Sequence, residues 1–89
     1  IRETLIAQHD TDRNMDIVAA ALLANYNGDA FQRVIYTESH DEVANGKARV
    51  AEEIASGDVN NFFSKKRATL GISLVLTAPG VPMIFQGHE

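Results

Sequence analysis

The ten residues 34–43, which read VIYTESHDEV, constrain the fold more than any other part of the chain. The first half is β-branched and aromatic, and such side chains favour an extended backbone because they pack well on a pleated surface. The strand is predicted over residues 33–38. Residues 33–37 show little apolar–polar alternation, so it is predicted to be covered on both faces, as strands of parallel sheets are. In α/β folds, ligands bind beyond the carboxyl ends of such strands. The polar residues 39–42 therefore lie where a catalytic carboxylate is expected.

The segment before this strand has the spacing of an amphipathic helix. Its apolar side chains recur at intervals of three and one residues over 14–26, which describes one face of a helix. Thr11 and Asp12 are candidate N-caps, because their side-chain oxygens can accept hydrogen bonds from first-turn amides. Asn27 and Gly28 are predicted to end the helix.

Two further helices and a second strand are predicted downstream. The stretch 47–55 contains good helix formers, and Asp58 is the predicted N-cap of a longer helix over about 60–77. A glycine inside a helix costs about 1 kcal/mol relative to alanine, so Gly71 indicates a close approach to the sheet. Residues 82–86 read as a short buried strand, with proline allowed at its first position. The order helix, strand, helical connection, strand predicts a βαβ unit with parallel strands.

Length and charge limit the class of protein. With 89 residues and a net charge of −4, the chain suits one small domain and lacks the basic face that nucleic-acid binding requires. The absence of cysteine fits a reducing compartment, so a cytoplasmic location is expected, and no apolar run approaches the roughly 20 residues of a membrane span. The chain begins without methionine and stops just after a predicted strand, so residues 1–89 are expected to be part of a longer protein.

The adjacent His40 and Asp41 are the strongest candidate site residues. If a turn directs both side chains at one pocket, an imidazole that binds substrate stands beside a carboxylate that faces developing positive charge. The alternative is an ordinary polar surface turn. Glu38 and Glu42 extend the acidic cluster, and like charges are expected to raise some of their pKa values.

Other polar and aromatic groups are given ordinary structural roles. The segment 9–12, HDTD, suits a helix-capping loop better than a metal site, and no metal or cofactor is predicted. The basic run 65–67 is interpreted as a solvated helix face. Phe62 and Phe63 are predicted to lie in the core. His88, beyond the second strand, is predicted at the same end of the sheet as His40.

Two motifs taken together resemble the α-amylase superfamily of glycoside hydrolases and transglycosylases. The first, YTESHD over residues 36–41, resembles the strand that ends in an aromatic residue and leads to a His-Asp pair. The second, GVPMIFQGHE over 80–89, resembles the later strand of form Gly-x-Pro followed by Gly-x-Glu. The sequence of residues 39–47, SHDEVANGK, is more similar to the corresponding segment of 1,4-α-glucan branching enzymes than to that of amylases, which usually carry Asn before His-Asp. Where this chain has His88, relatives more often carry Gln.

The resemblance implies an α/β fold: a βαβ fragment of a (β/α)8 TIM barrel that carries its last two strands, preceded by an amphipathic helix. Residues 1–89 would be a single partial domain from the C-terminal part of that catalytic barrel. A TIM barrel needs roughly 250 residues, so the rest of the parent barrel would be a partner, as would an α-1,4-glucan. Self-association through open sheet edges is also expected.

By the same resemblance, Asp41 matches the carboxylate that stabilises the transition state of a retaining mechanism, and His40 matches a histidine that binds the same sugar. The nucleophile and the general acid of the family lie on strands outside this sequence. The chain alone is therefore predicted to be inactive. The competing hypothesis is a standalone structural or sugar-binding α/β module without catalysis.

Overall fold

The computed structural model describes residues 1–89 and contains five α-helices and two very short strands. In chain order these are α1 (Arg2–Ile6), α2 (Met15–Leu23), β1 (Val34–Ile35), α3 (His40–Ala44), α4 (Val50–Ile54), α5 (Phe62–Thr77) and β2 (Val81–Pro82). Single turns of 3-10 helix occur at Asp10–Asp12 and Ala30–Gln32.

Helix α2 is shorter than the apolar spacing predicts and is capped by a different residue. The side chain of Asn14, and not that of Thr11 or Asp12, accepts hydrogen bonds from the first-turn amides. The helix ends at Leu23, and Asn27 and Gly28 instead form a turn with positive φ values of 52° and 73°. Only Val18 of its predicted apolar face is fully buried, because little of the chain packs against α2.

The bounds of helix α5 agree closely with the prediction, but the prediction of Asp58 as its N-cap is wrong. The helix is capped by Asn61, whose side chain accepts from the Ser64 amide at 2.8 Å, and it ends just before Pro79. A Cβ placed on Gly71 would lie 2.5 Å from Leu5 Cδ1 and 3.4 Å from Thr37 Cγ2. The close approach inferred from this glycine is therefore mainly to helix α1, with the end of β1 as a second neighbour.

Strands β1 and β2 pair in parallel, with Val34 opposite Val81 and Ile35 opposite Pro82. The amides of Val81 and Met83 donate to the carbonyls of Arg33 and Ile35 at 2.9 and 3.0 Å. Both strands are much shorter than the predicted 33–38 and 82–86. The sheet is also covered on one face only, since Val34 is 53% exposed and Ile35 is 4% exposed. The prediction of a strand buried on both faces is wrong.

The prediction of a βαβ fragment of a TIM barrel is contradicted by where the core lies. A barrel segment buries its apolar residues between helices and sheet. Here the buried cluster is Leu5, Val50 and Ile54, contributed by helices α1 and α4, which also contact α5. The two-residue strands supply only Ile35 to the buried apolar set. The chain is a small mixed helical domain with a two-stranded parallel sheet.

Candidate functional site

His40 and Asp41 occupy the first turn of helix α3, which begins directly after the chain leaves β1. Ser39 is the N-cap, and its hydroxyl accepts from the amide of Glu42 at 3.3 Å. A carboxylate in a first helical turn is favourable because unpaired backbone N–H groups carry partial positive charge there. The sequence TESHDE thus forms an extended exit from the strand followed by a capped turn.

The His40 and Asp41 side chains contact each other at the surface. His40 Nε2 lies 3.1 Å from Asp41 Oδ1, and both side chains are 78% exposed. A turn does bring the two groups together, but both are exposed and only His40 lines a recess, so the predicted convergence of the pair on one pocket is absent. Chemically, the pair offers an imidazole and a carboxylate that can exchange hydrogen bonds with the hydroxyl groups of a polar ligand.

Glu38, two residues before His40, is buried in a different environment. Its carboxylate is 2% exposed and accepts hydrogen bonds from Arg49 Nε at 2.8 Å and from the Val50 amide at 2.7 Å. Arg49 Nη2 lies 2.6 Å from Glu38 Oε1, the oxygen that also accepts the hydrogen bond from Arg49 Nε. Arg49 therefore meets this carboxylate with two nitrogens at once.

The surroundings of Glu38 determine its ionisation. Burial by itself would raise the pKa of Glu38, but the hydrogen bond from Arg49, the Val50 amide and the positive charge of Arg49 outweigh it. The pKa of Glu38 is therefore held below its usual value. The prediction that like charges would raise carboxylate pKa values in this cluster is wrong for Glu38, because its nearest charged partner is a cation.

His88 joins the same network from the other strand. Its side chain is buried, with Nε2 3.4 Å from Thr37 Oγ1 and Nδ1 4.0 Å from Glu38 Oε1. Nδ1 has no hydrogen-bond partner. His88 thus lies at the same end of the sheet as His40, as predicted, but its ring contacts the buried carboxylate and not the exposed pair.

Two cavities adjoin these groups. A cavity of about 560 Å³ lies beside the Glu38 network, and its walls come from that network and from helices α4 and α5. A recess of about 60 Å³ lies on the side of His40, with Glu38, Ser39 and His40 on one wall and Met83, Ile84 and Phe85 on the other. His40 and the end of β2 therefore share a surface.

Arg49 and His88 are the residues of this region to which the sequence analysis assigned no role. Arg49 follows Glu38 by 11 residues and His88 follows Thr37 by 51, so neither contact has a local spacing signal. The only available signal was weak: Glu38 interrupts a run of strand formers, where a carboxylate requires a partner if it is buried.

The other residues considered in the sequence have structural positions. Asp10 pairs with Arg13 at 2.8 Å, and this hydrogen bond lowers the pKa of Asp10. No three histidine or acidic side chains converge as a metal site would require. Phe62 and Phe63 contact each other edge to face but are exposed, so their prediction as core residues is wrong.

Comparison with protein-family models, with curated proteins and with solved structures finds no match. No helix has both the length and the apolar character needed to cross a membrane.

Proposed function

We propose that this chain supplies a sugar-binding His40–Asp41 pair to a protein that acts on α-1,4-glucans by hydrolysis or, as the favoured reaction, by branching transfer. The proposal is carried by one observation, the contact of 3.1 Å between His40 and Asp41 on an exposed helical turn at the carboxyl end of β1. It is supported by the resemblance of residues 36–41 and 80–89 to motifs of the α-amylase superfamily.

The chemistry of each group suits this role. Cleavage of an α-glucan passes through an oxocarbenium-like transition state that carries positive charge on the sugar ring. A carboxylate such as that of Asp41 stabilises this charge, and losing such a group from a water-excluded active site typically costs roughly 10²–10³ in rate. The imidazole of His40 can hydrogen-bond the hydroxyl groups of the same sugar. High exposure of both side chains leaves them open to a polymeric substrate.

The proposal includes the absence of turnover by the 89 residues alone. A retaining mechanism needs a carboxylate nucleophile and a carboxylic general acid in addition to a stabilising group. The residues matched by the resemblance supply neither. The chain by itself is therefore expected to bind glucan segments without cleaving or transferring them.

Titration of the isotope-labelled chain with maltoheptaose, followed by NMR, tests the binding role. We expect the backbone amides of His40 and Asp41 to shift in a saturable manner, and a β-1,4-linked oligosaccharide of equal length to leave them unmoved. Asp41→Asn is expected to weaken maltoheptaose binding by about tenfold, equivalent to about 1.4 kcal/mol. Asp16→Asn is the matched control, because Asp16 is likewise an exposed acid in a first helical turn.

Two results would count against the proposal. Absence of any saturable shift, or equal affinity of the Asp41→Asn variant and the unaltered chain, refutes the binding role and favours a purely structural module. Release of reducing sugar, or loss of iodine colour from amylose, by the purified chain refutes the statement that it is inactive alone.

A further inference from the structure

Arg49 contacts both segments that leave the sheet. Its Nε and Nη2 meet the Glu38 carboxylate after β1, while its Nη1 donates to the Gln86 carbonyl after β2 at 3.2 Å. The guanidinium carbon also lies 4.3 Å from the centre of the Phe85 ring. The guanidinium of Arg49 thus donates hydrogen bonds to the segment after β1. It also donates a hydrogen bond to the segment after β2 and stacks its planar face on Phe85 there.

These contacts bear on the recess beside His40. The wall formed by Glu38, Ser39 and His40 and the wall that contains Phe85 face each other across it. The short backbone pairing ends at Met83, whose amide donates to Ile35. Beyond that point, side chains link the two exits: Arg49 bridges them, and His88 lies against Thr37 and Glu38.

We infer that Arg49 is a positioning residue for the His40–Asp41 pair, acting by holding the exit of β1 against residues 85–86 of the exit of β2. The inference rests on the proposed function, since it assigns Arg49 to the same sugar-binding site. Arg49 acts through Glu38, which is two residues from His40, and it does not need to touch the sugar. The fork of the guanidinium is required because an ammonium is a single point charge without a planar face.

A second, partly buried ion pair provides a control for general loosening of the domain. Arg2 and Glu53 meet at 2.8 Å and join helix α1 to helix α4; Arg2 also donates to the carbonyls of Thr37 and Ala48, but neither residue of the pair hydrogen-bonds residues 85–86. Weakening this pair by Glu53→Gln destabilises the domain without releasing residues 85–86. Loosening of the whole domain or of the Thr37 carbonyl is therefore expected from substitutions in either pair, whereas release of residues 85–86 from the His40 segment is expected from the Arg49 substitutions alone.

The experiment compares Arg49→Met, Arg49→Lys and Glu53→Gln by NMR in the absence of sugar, alongside the unfolding free energy of each. We expect both Arg49 variants to shift the His40 ring resonances and to remove cross-relaxation between Phe85 and the His40 segment. Arg49→Lys should recover part of the stability lost in Arg49→Met without restoring the His40 signals. Glu53→Gln should leave those signals in place. If Arg49→Met fails to fold, Arg49→Lys provides the same comparison.

Maltoheptaose affinity gives the functional readout, with an expected loss of about fivefold in Arg49→Lys and none in Glu53→Gln. The inference is overturned if the His40 signals are unchanged in the Arg49 variants, or if Glu53→Gln moves them equally. It is also overturned if maltoheptaose binds the Arg49 variants with unaltered affinity. Failure of the unaltered chain to bind maltoheptaose is a different result: it refutes the proposed function, while the sugar-free His40 signals still decide whether Arg49 positions this turn.

Discussion

Replacing Glu38 by glutamine tests the buried network most directly. The substitution keeps the size of the side chain, but it puts an N–H donor where one carboxylate oxygen now accepts from Arg49 or from the Val50 amide. Hydrogen bonds to charged groups contribute roughly 1.5–3 kcal/mol each, and breaking a fully buried ion pair costs about 3–5 kcal/mol. The Arg49 side chain is 36% exposed, so water can solvate part of its charge. We therefore expect Glu38→Gln to lower the free energy of unfolding by about 2–4 kcal/mol.

The sign of the pH dependence follows from the lowered pKa of Glu38. Because the folded state binds the proton less readily than the unfolded chain, the stabilisation is fully present above the unfolded pKa of about 4.3. It is lost as the pH falls through the lower folded pKa. The difference in stability between the unaltered chain and Glu38→Gln should therefore be constant near neutral pH and shrink below about pH 4.

Urea unfolding followed by circular dichroism, repeated at several pH values between 3 and 7, measures this difference. Glu3→Gln is the control, because Glu3 is an exposed glutamate of α1, and it should change the unfolding free energy by less than about 0.5 kcal/mol. A loss below that value in Glu38→Gln, or a difference that does not decline in acid, would refute the reasoning. A double-mutant cycle with Arg49→Met should be strongly non-additive, because the two side chains share one interaction.

Three further predictions concern packing, capping and association. Gly71→Ala should lower the free energy of unfolding by about 1–2 kcal/mol, because displacing the buried Leu5 side chain outweighs the gain of about 1 kcal/mol in helix propensity. Ser73→Ala, on the exposed face of the same helix, is the control and should leave the free energy of unfolding unchanged or raise it in the same urea assay. Asn61→Ala should lower the unfolding free energy by about 1 kcal/mol through loss of the α5 cap, and a measured change near zero would contradict the capping assignment. The sedimentation coefficient should rise with concentration, because Val34 and Val81 leave one face of the parallel sheet apolar and open; a constant monomer value up to millimolar concentration would contradict self-association.

The sequence predicted those elements whose signals are local. Helix α5 has a proline just past its end, and its observed bounds differ from the prediction by two residues at most. Gly71 indicated a close approach because a glycine within a helix is otherwise unfavourable. The parallel pairing of β1 with β2 also followed from the order of the elements. Each of these inferences depends on residues near one another in the chain or on chain order alone.

The extent of the sheet could not be predicted in this way. An apolar run such as residues 34–36 extends as a strand only where a neighbouring backbone accepts and donates hydrogen bonds, and that neighbour is set by tertiary structure. Here the amides of Val81 and Met83 donate to the Arg33 and Ile35 carbonyls, but the Thr37 carbonyl, which is the next acceptor in that series, accepts from the side chain of Arg2 at 3.3 Å. The pairing therefore stops after two residues, although the side chains favour more.

The same reasoning explains why a contact between the adjacent residues His40 and Asp41 could be anticipated from the sequence, whereas the buried network around Glu38 could not. Thr37, Glu38 and Ser39 are buried in succession, whereas a strand with one exposed face would bury only every second side chain. Their burial requires that hydrogen bonds from distant residues fix the exit of β1. Arg49 and His88 lie far from Glu38 in the sequence and belong to no pattern that links them to it, so their contacts with Glu38 are seen only in the folded chain. The position of His40 and Asp41 thus depends on polar contacts more than on apolar packing. Conservative substitutions of Glu38 and Arg49 should therefore displace the two side chains more than a substitution of His88 does, because Nδ1 of His88 has no hydrogen-bond partner.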